Sequence, residues 1–332
     1  MPFDHPQLIR LARPGGLEVT FMDWGATWLS CRVPVTGEAA PREVLLGHAT
    51  PQDYATQSGY LGATVGRYAN RIGHARIERD GVTHALAPHP PGSRHQLHGG
   101  PDGFSHRRWQ VLSATDTAVC FALDSPDGDQ GFPGDLHVEV TYTLSDAMTL
   151  VMDIRATVSA PCPVALTQHA YFNLDARHDT VRAHTLQLAA SRYLPVDAEL
   201  LPLGGLASVE STGFDFRVAK PIGQDLGRDA QQQATRGYDH GWLLDDSARE
   251  ARAPAAVLTS SDGRLSMALS TTLPAVQVYT GNYLGSTHAG VAMEPGYLAD
   301  SPAHGEWEQT PSVWLSPGET LNQSMKWAWK TD

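Results

Sequence analysis

The run from Leu136 to Val158 constrains this chain more than any other stretch. Leu136, Val138, Val140, Tyr142 and Leu144 alternate with His137, Glu139, Thr141 and Thr143. After Ser145-Asp146-Ala147 the alternation resumes at Met148, Leu150, Met152, Ile154, Ala156 and Val158. A period of two sends successive side chains to opposite faces of a pleated strand, whereas a helix would scatter the same residues around its axis. Two such runs joined by a short polar turn predict a β-hairpin with one buried face. Shorter runs of the same kind lie at 17–22, 27–33, 111–114, 118–123, 265–270, 275–280 and 320–329. Turn signals separate them, among them Pro14-Gly15-Gly16, Asp80-Gly81, Asp127-Gly128, Pro133-Gly134, Asp262-Gly263 and Pro317-Gly318.

Helical periodicity is scarce. Pro51–Gln57 reads as one turn, capped by Thr50 with a proline at its first position, and Gln224–Ala234 as another. Nothing alternates strand with helix, which excludes a doubly wound parallel sheet. Many short strands, with 31 Gly and 23 Pro to turn between them, predict an all-β fold, a large antiparallel sandwich. Length allows one large domain or two ordinary ones. The Ala/Pro-rich stretch at 253–256 is too short to be a linker, so residues 1–332 read as a single domain.

The balance of 24 Lys+Arg against 36 Asp+Glu gives a formal net charge of −12. Such a surface repels nucleic acid and anionic membranes, and neither is expected as a partner. Cys31, Cys120 and Cys162 are odd in number and far apart, which is no disulfide framework and suits a reducing cytosol. The N-terminus shows no basic segment followed by an apolar one, and no window approaches about 18 consecutive apolar residues. The expected compartment is the cytoplasm.

Candidate chemistry gathers in a few polar stretches. Thr167–Leu174 follows a short apolar run, 161–166, that reads as a buried strand. His169, set among aromatics at its end, is suited to give or take a proton near neutrality, or is a buried histidine satisfied by backbone. Gly66–Ile72 packs Arg67, Asn70 and Arg71 between apolar residues. Forked donors and an amide read vicinal hydroxyls well, though in isolation the stretch also fits an edge strand with surface arginines. His98 precedes Gly99-Gly100, where a ligand or another backbone can approach closely. Asp239 opens an apolar run, either as a turn cap or as an acceptor for two hydroxyls. Gln277 and Tyr279 share a strand face. Glu294 lies between apolar residues and Pro295, where partial burial would raise its pKa toward the range of a general base. His89, His95 and His98 lie in a Pro/Gly loop with no fixed ligand geometry, so no metal site is expected. Asp127–Gly131 lacks the spacing and terminal Glu of a calcium loop and reads as a hairpin turn. Walker A, Gly-x-Gly-x-x-Gly and Gly-x-Ser-x-Gly motifs are absent.

Taken together, these stretches resemble the aldose 1-epimerases, or galactose mutarotases. The similarity runs from Asp23–Thr27 through Gly62–Ile72, Leu97–Gly100, Gly131–Gly134, His169–Leu174, Gly213–Arg217, Asp239-His240 and Gln277–Asn282 to Glu294-Pro295. It implies a β-supersandwich that interconverts the α- and β-anomers of free sugars without a cofactor. Glu294 matches the family's general base, His169 its general acid and His98 its second active-site histidine. Asn70, Arg71, Asp239 and Gln277 match its hydroxyl-binding residues. The chain departs from the family after Pro295, reading Gly296-Tyr297-Leu298-Ala299-Asp300-Ser301-Pro302.

Mutarotation needs this pairing. The anomeric hydroxyl must lose a proton while the ring oxygen gains one, so an acid and a base flank the anomeric carbon. If His169 is the charged acid, its deprotonation sets the alkaline limit of activity and protonation of Glu294 the acid limit. The expected partner is a small monosaccharide, and the expected state a monomer or weak homodimer. Two other readings are a mutarotase of hexose 6-phosphates, which would want a basic cluster, and a non-catalytic carbohydrate-binding module. The module has no need of both His169 and Glu294.

Overall fold

A computed structural model describes residues 5–307 and 311–332. Met1–Asp4, part of the stretch read for a leader, lie outside the described residues. Among the described residues strand pairing is antiparallel apart from an isolated parallel bridge between Tyr68 and Ala165. Three sheets carry the fold: a nine-stranded one, a six-stranded one and a four-stranded N-terminal one.

The hairpin expected from the alternating run lies at the heart of the nine-stranded sheet. Leu136–Asp146 pairs with Thr149–Val158 in the register Leu144↔Leu150 and Val140↔Ile154, with a bulge between Leu144 and Asp146. Because the period is two, this register sends Val138, Val140, Tyr142, Met152 and Ile154 to the core, all buried. The other short runs become Glu18–Met22, Thr27–Val33, Gln110–Ala114, Ala118–Ser125, Leu265–Thr271, Ala275–Tyr279 and Leu321–Thr331. One apolar core spans Ile9 to Trp329, and Trp28 sits at its centre with ring centroids 5.2 Å from Trp327 and 5.9 Å from Phe172.

Three expectations need correction. The 161–166 run is buried but is not one strand. Cys162–Pro163 pairs with Trp314–Leu315, Ala165 bridges Tyr68, and Thr167–Gln168 then pairs with Thr64–Val65. Two prolines deny it a continuous donor row, so it hands its pairing from one neighbour to another. The Gln224–Ala234 helix shrinks to Ala230–Thr235, because Gly227 adopts φ 79° and Asp229 starts the helix by accepting from the Gln231 amide. The Pro51 turn is a 3₁₀ helix over Pro51–Ala55, and Asp53 accepts from both the amide and the hydroxyl of Thr50.

Arg67 is the largest surprise. It is 2% exposed, where an edge strand would have put it in solvent. Its guanidinium donates to the carbonyls of Ser125, Pro126, Pro133 and Gly134 and to Ser125 Oγ, at 2.7–3.1 Å from the terminal nitrogens. Ser125 Oγ donates to Asp129, which accepts a two-pronged bond from Arg107 at 2.6 Å. The Asp127–Gly131 stretch is thus more than a turn, since it helps to solvate a buried cation. Replacing Arg67 by Met keeps the apolar stem but strands four carbonyls away from water. Arg67→Met should lower unfolding free energy by at least about 3 kcal/mol in urea titration. A loss below about 1 kcal/mol would mean that water replaces the guanidinium.

Candidate active site

The six-stranded sheet builds one wall of a pocket. Asp239–Leu243 pairs with Ala275–Tyr279, which pairs with Val291–Gly296. In this register Gln277 faces Glu294 directly, and Asp239 faces Tyr279. Directly opposed and diagonal residues share a sheet face, so Asp239, Gln277, Tyr279 and Glu294 converge. Gln277 Nε2 donates to Asp239 Oδ1 at 2.7 Å. Gly241 lies opposite Gln277, and a Cβ there would stand 2.9 Å from Leu298 Cδ2. The missing side chain lets Leu298 of the neighbouring loop pack onto the same face of the sheet.

The facing wall comes from earlier segments. His169 is held by its backbone, its amide donating to Ala63 and its carbonyl accepting from Gly62. Its ring lies among Tyr60, His98 and Tyr171, with centroids 5.7, 5.1 and 5.0 Å away. Arg71–Ile72 pairs with Gln96–Leu97, and the ribbon is tied at its end by Asn70 and His98. The His98 amide donates to the Asn70 carbonyl, and the Asn70 amide donates back to His98 Nδ1 at 3.2 Å. Asn70 Oδ1 accepts from the Arg71 amide at 2.7 Å.

All seven sequence-expected residues, Asn70, Arg71, His98, His169, Asp239, Gln277 and Glu294, line this single pocket. It holds about 230 Å³, a little under the usual range of about 300–1,000 Å³ for small-ligand sites, which suits one small polar ring. Tyr60, Tyr171, Leu200, Tyr279, Tyr283 and Leu284 also line it and were not expected there as site residues. Tyr171 and Tyr279 carried a signal, lying two residues from His169 and Gln277. Tyr60, at φ 55° in a tight turn, and Leu200, at φ 64°, carried none.

Electrostatics inside the pocket are dominated by burial. Burial and the neighbouring Asp239 push Glu294 well above the usual carboxylate range, against a downward pull from Arg71. Burial also raises Asp239, again opposed by Arg71 and by its bond from Gln277. His169 is pushed down to about 4 by desolvation, and His98 falls well below 6.5 through desolvation and the neighbouring His169 and Arg71. His169 Nε2 stands 3.5 Å from Glu294 Oε1, with both side chains about 5% exposed.

Donor atoms of His98, His169 and Glu294 lie within 4.8 Å of one another, a spacing that a metal ion could use. The hydrogen bonding of His98 opposes that use. Its Nδ1 lone pair accepts from the Asn70 amide, so in the neutral ring the proton is on Nε2. Neither nitrogen then has a free lone pair, and His98 presents an N–H donor to the pocket. The loop histidines serve elsewhere: His89 Nε2 meets Tyr60 Oη at 2.9 Å, and His95 Nδ1 accepts from the His74 amide at 2.9 Å.

Residues 7–328 match the family described as aldose 1-epimerase. The chain is 46% identical over 323 residues to the aldose 1-epimerase of Escherichia coli strain K12, spanning 94% of this chain and 92% of that one. It is 37% identical over 322 residues to the galactose mutarotase of Homo sapiens, spanning 93% and 90%. Its fold is similar to that of the aldose epimerase homologue from C. elegans, at a TM-score of 0.88 and 29% identity over 98% of this chain and 99% of that one. The structure of galactose 1-epimerase from Lactobacillus acidophilus NCFM matches with a TM-score of 0.84 at 25% identity, over 98% and 99% of the two chains. This antiparallel sandwich is therefore that of an isomerase. The chain belongs to the aldose 1-epimerase family.

The hydrogen bonding at His98 gives a direct spectroscopic expectation. Nitrogen-15 NMR of labelled histidine should show His98 neutral with the proton on Nε2 throughout a window of about pH 6–8. A ring protonated on Nδ1 in that window would contradict the Asn70 bond and reopen the site to metal ligation.

Proposed function

We propose that this enzyme interconverts the α- and β-anomers of free hexoses such as galactose and glucose, with Glu294 as base and His169 as acid in ring opening. The observation that carries the reading is the approach of His169 Nε2 to Glu294 Oε1, 3.5 Å apart and out of water, among groups suited to hydroxyls. Glu294 takes the anomeric proton, His169 delivers one to the ring oxygen, and the roles reverse on closure. His98, as a fixed Nε2–H donor, is the second histidine. Asn70, Arg71, Asp239 and Gln277 bind distal hydroxyls and hold the sugar while its freed aldehyde end turns.

The pKa directions change which residue sets each pH limit. A buried acid–base pair is most stable when it carries one proton and no net charge. That proton sits on Glu294 or on His169, and these two forms share one pH dependence. Below the lower limit a second proton charges His169, whose pKa is depressed to about 4. Above the upper limit the pair loses its only proton, a loss that the raised Glu294 pKa delays. In the empty pocket His169 therefore governs the acid limb and Glu294 the alkaline limb, the reverse of the expectation from unperturbed values. Polarimetry across pH should give a broad plateau spanning neutrality with a fall on each side. A steady rise in rate through neutrality, with no plateau, would contradict the shared proton.

Arg71 is the single Lys or Arg among the pocket-lining residues, and two carboxylates accompany it, Glu294 buried and Asp239 half-buried. That balance favours neutral sugars over hexose 6-phosphates. The continuous core supports a single domain. All three cysteines are unpaired, in keeping with the cytoplasm. Among the described residues no helix is long and apolar enough to cross a membrane.

Glu294→Gln is the decisive variant. It keeps size and one acceptor but cannot take a proton. Calorimetric titration should show galactose still bound, while polarimetric exchange drops by at least about 100-fold. Exchange within a few-fold of the parent would remove Glu294 as the base and direct attention to Asp239.

A further inference from the structure

The segment after Glu294 is where the chain departs from its family, and nothing in the reaction above uses it. It nevertheless reaches both walls of the pocket. Gly296 ends the strand that carries Glu294. Leu298 packs against Gly241, two residues from Asp239, and its carbonyl accepts from Tyr68 Oη at 3.2 Å and from Ser301 Oγ at 2.7 Å. Asp300 then reaches the segment that bears Arg71. Its amide donates to the Arg71 carbonyl at 2.8 Å, and its Oδ1 accepts from the Gly73 amide at 2.8 Å.

These two bonds bracket Arg71 from the side that its ribbon partner leaves open. Leu97 pairs with Arg71 on one edge, and Asp300 grips the other. The fit is close. A Cβ at Gly73 would stand 2.8 Å from Asp300 Oδ2. Asp300 is 9% exposed and adopts φ 60°, a left-handed conformation that Asp and Asn tolerate better than most residues. Its other oxygen, Oδ2, stands 3.7 Å from His304 Nε2, so the carboxylate is shared between the Gly73 amide and an outer histidine.

We propose that Asp300 is a positioning residue for Arg71, clamping its backbone so that the guanidinium keeps a fixed place relative to Asp239 and Glu294. Asp300 does not line the pocket. It acts through the Arg71 carbonyl and the Gly73 amide, and it ties the hydroxyl-binding ribbon to the strand that carries the base. The inference rests on the reading of Arg71 as a hydroxyl-binding residue.

Asp300→Gly deletes the carboxylate without straining the left-handed backbone. Asp300→Asn keeps an oxygen that can accept from Gly73. In the full-length enzyme, Asp300→Gly should raise KM for galactose by about 10- to 100-fold with a smaller change in kcat, since a displaced positioning group costs that much. Asp300→Asn should stay within about threefold of the parent. Combined with Arg71→Ala, the Asp300→Gly penalty should vanish, because groups acting through one another are non-additive. Hydrogen exchange at the Gly73 amide, read without sugar, should speed up at least about tenfold in Asp300→Gly. Should that variant not fold, Gly73→Ala pushes the clamp apart from the other side and should raise KM likewise.

Normal KM and Gly73 exchange in folded Asp300→Gly would overturn the proposal. So would a KM penalty that persists in full beside Arg71→Ala, or an Asp300→Asn variant as impaired as Asp300→Gly. If Arg71→Ala itself binds galactose like the parent, the reading of the pocket fails instead, and faster exchange at Gly73 would still show the clamp.

Discussion

A guanidinium kept from water organises this molecule. The Arg67 guanidinium offers only donors and no acceptor, so its burial requires acceptors brought to it. Four carbonyls and a hydroxyl supply them, all from residues 125–134, far away in sequence. The consequence reaches the pocket because Arg67 sits three residues before Asn70 and four before Arg71. Once the guanidinium is seated, the polar ribbon cannot slide along the core. A surface arginine would have left that ribbon free at one end.

The pocket meets the same problem with different groups. Glu294, His169 and His98 are buried and Asp239 is half-buried, and desolvation opposes charge on each of them. Arg71 offsets part of the carboxylate cost, and in the reaction proposed above one proton shared between Glu294 and His169 would remove most of the rest. A pair with no net charge needs little solvent and can move that proton either way. The energetic demand of the dry interior and the chemical demand of a reversible reaction are met by the same arrangement.

The sequence revealed more of the site than of the turns that hold it. Period-two alternation gave the hairpin at 136–158, and with strand identity came the face on which Gln277 lies. Side-chain chemistry singled out His169, Arg71 and Glu294, because those residue types are conspicuous in apolar surroundings. It could not give the depth of Glu294, which depends on the strands at 239–243 and 275–279 closing beside it. Neither sequence reading of Arg67, a reader of hydroxyls or a surface arginine on an edge strand, matches its buried place, because its partners are backbone carbonyls, and carbonyls leave no mark in a sequence. The short helix at 230–235 was overextended because the left-handed residue Gly227 interrupts what composition alone allows. Asp300 carries no signal of its place, since an aspartate before Ser301-Pro302 reads as an ordinary turn.

The pocket floor and its mouth are built from different material. Glu294, Gln277 and Asp239 stand on paired strands whose register a single slip would invert. Leu200, Tyr283 and Leu284 stand on connecting segments that no ladder fixes. Insertions and exchanges at the mouth leave the floor undisturbed, whereas any shift at the floor removes all three carriers of polarity together. A lineage built on this scaffold can explore new sugars by editing its rim while inheriting its chemistry intact.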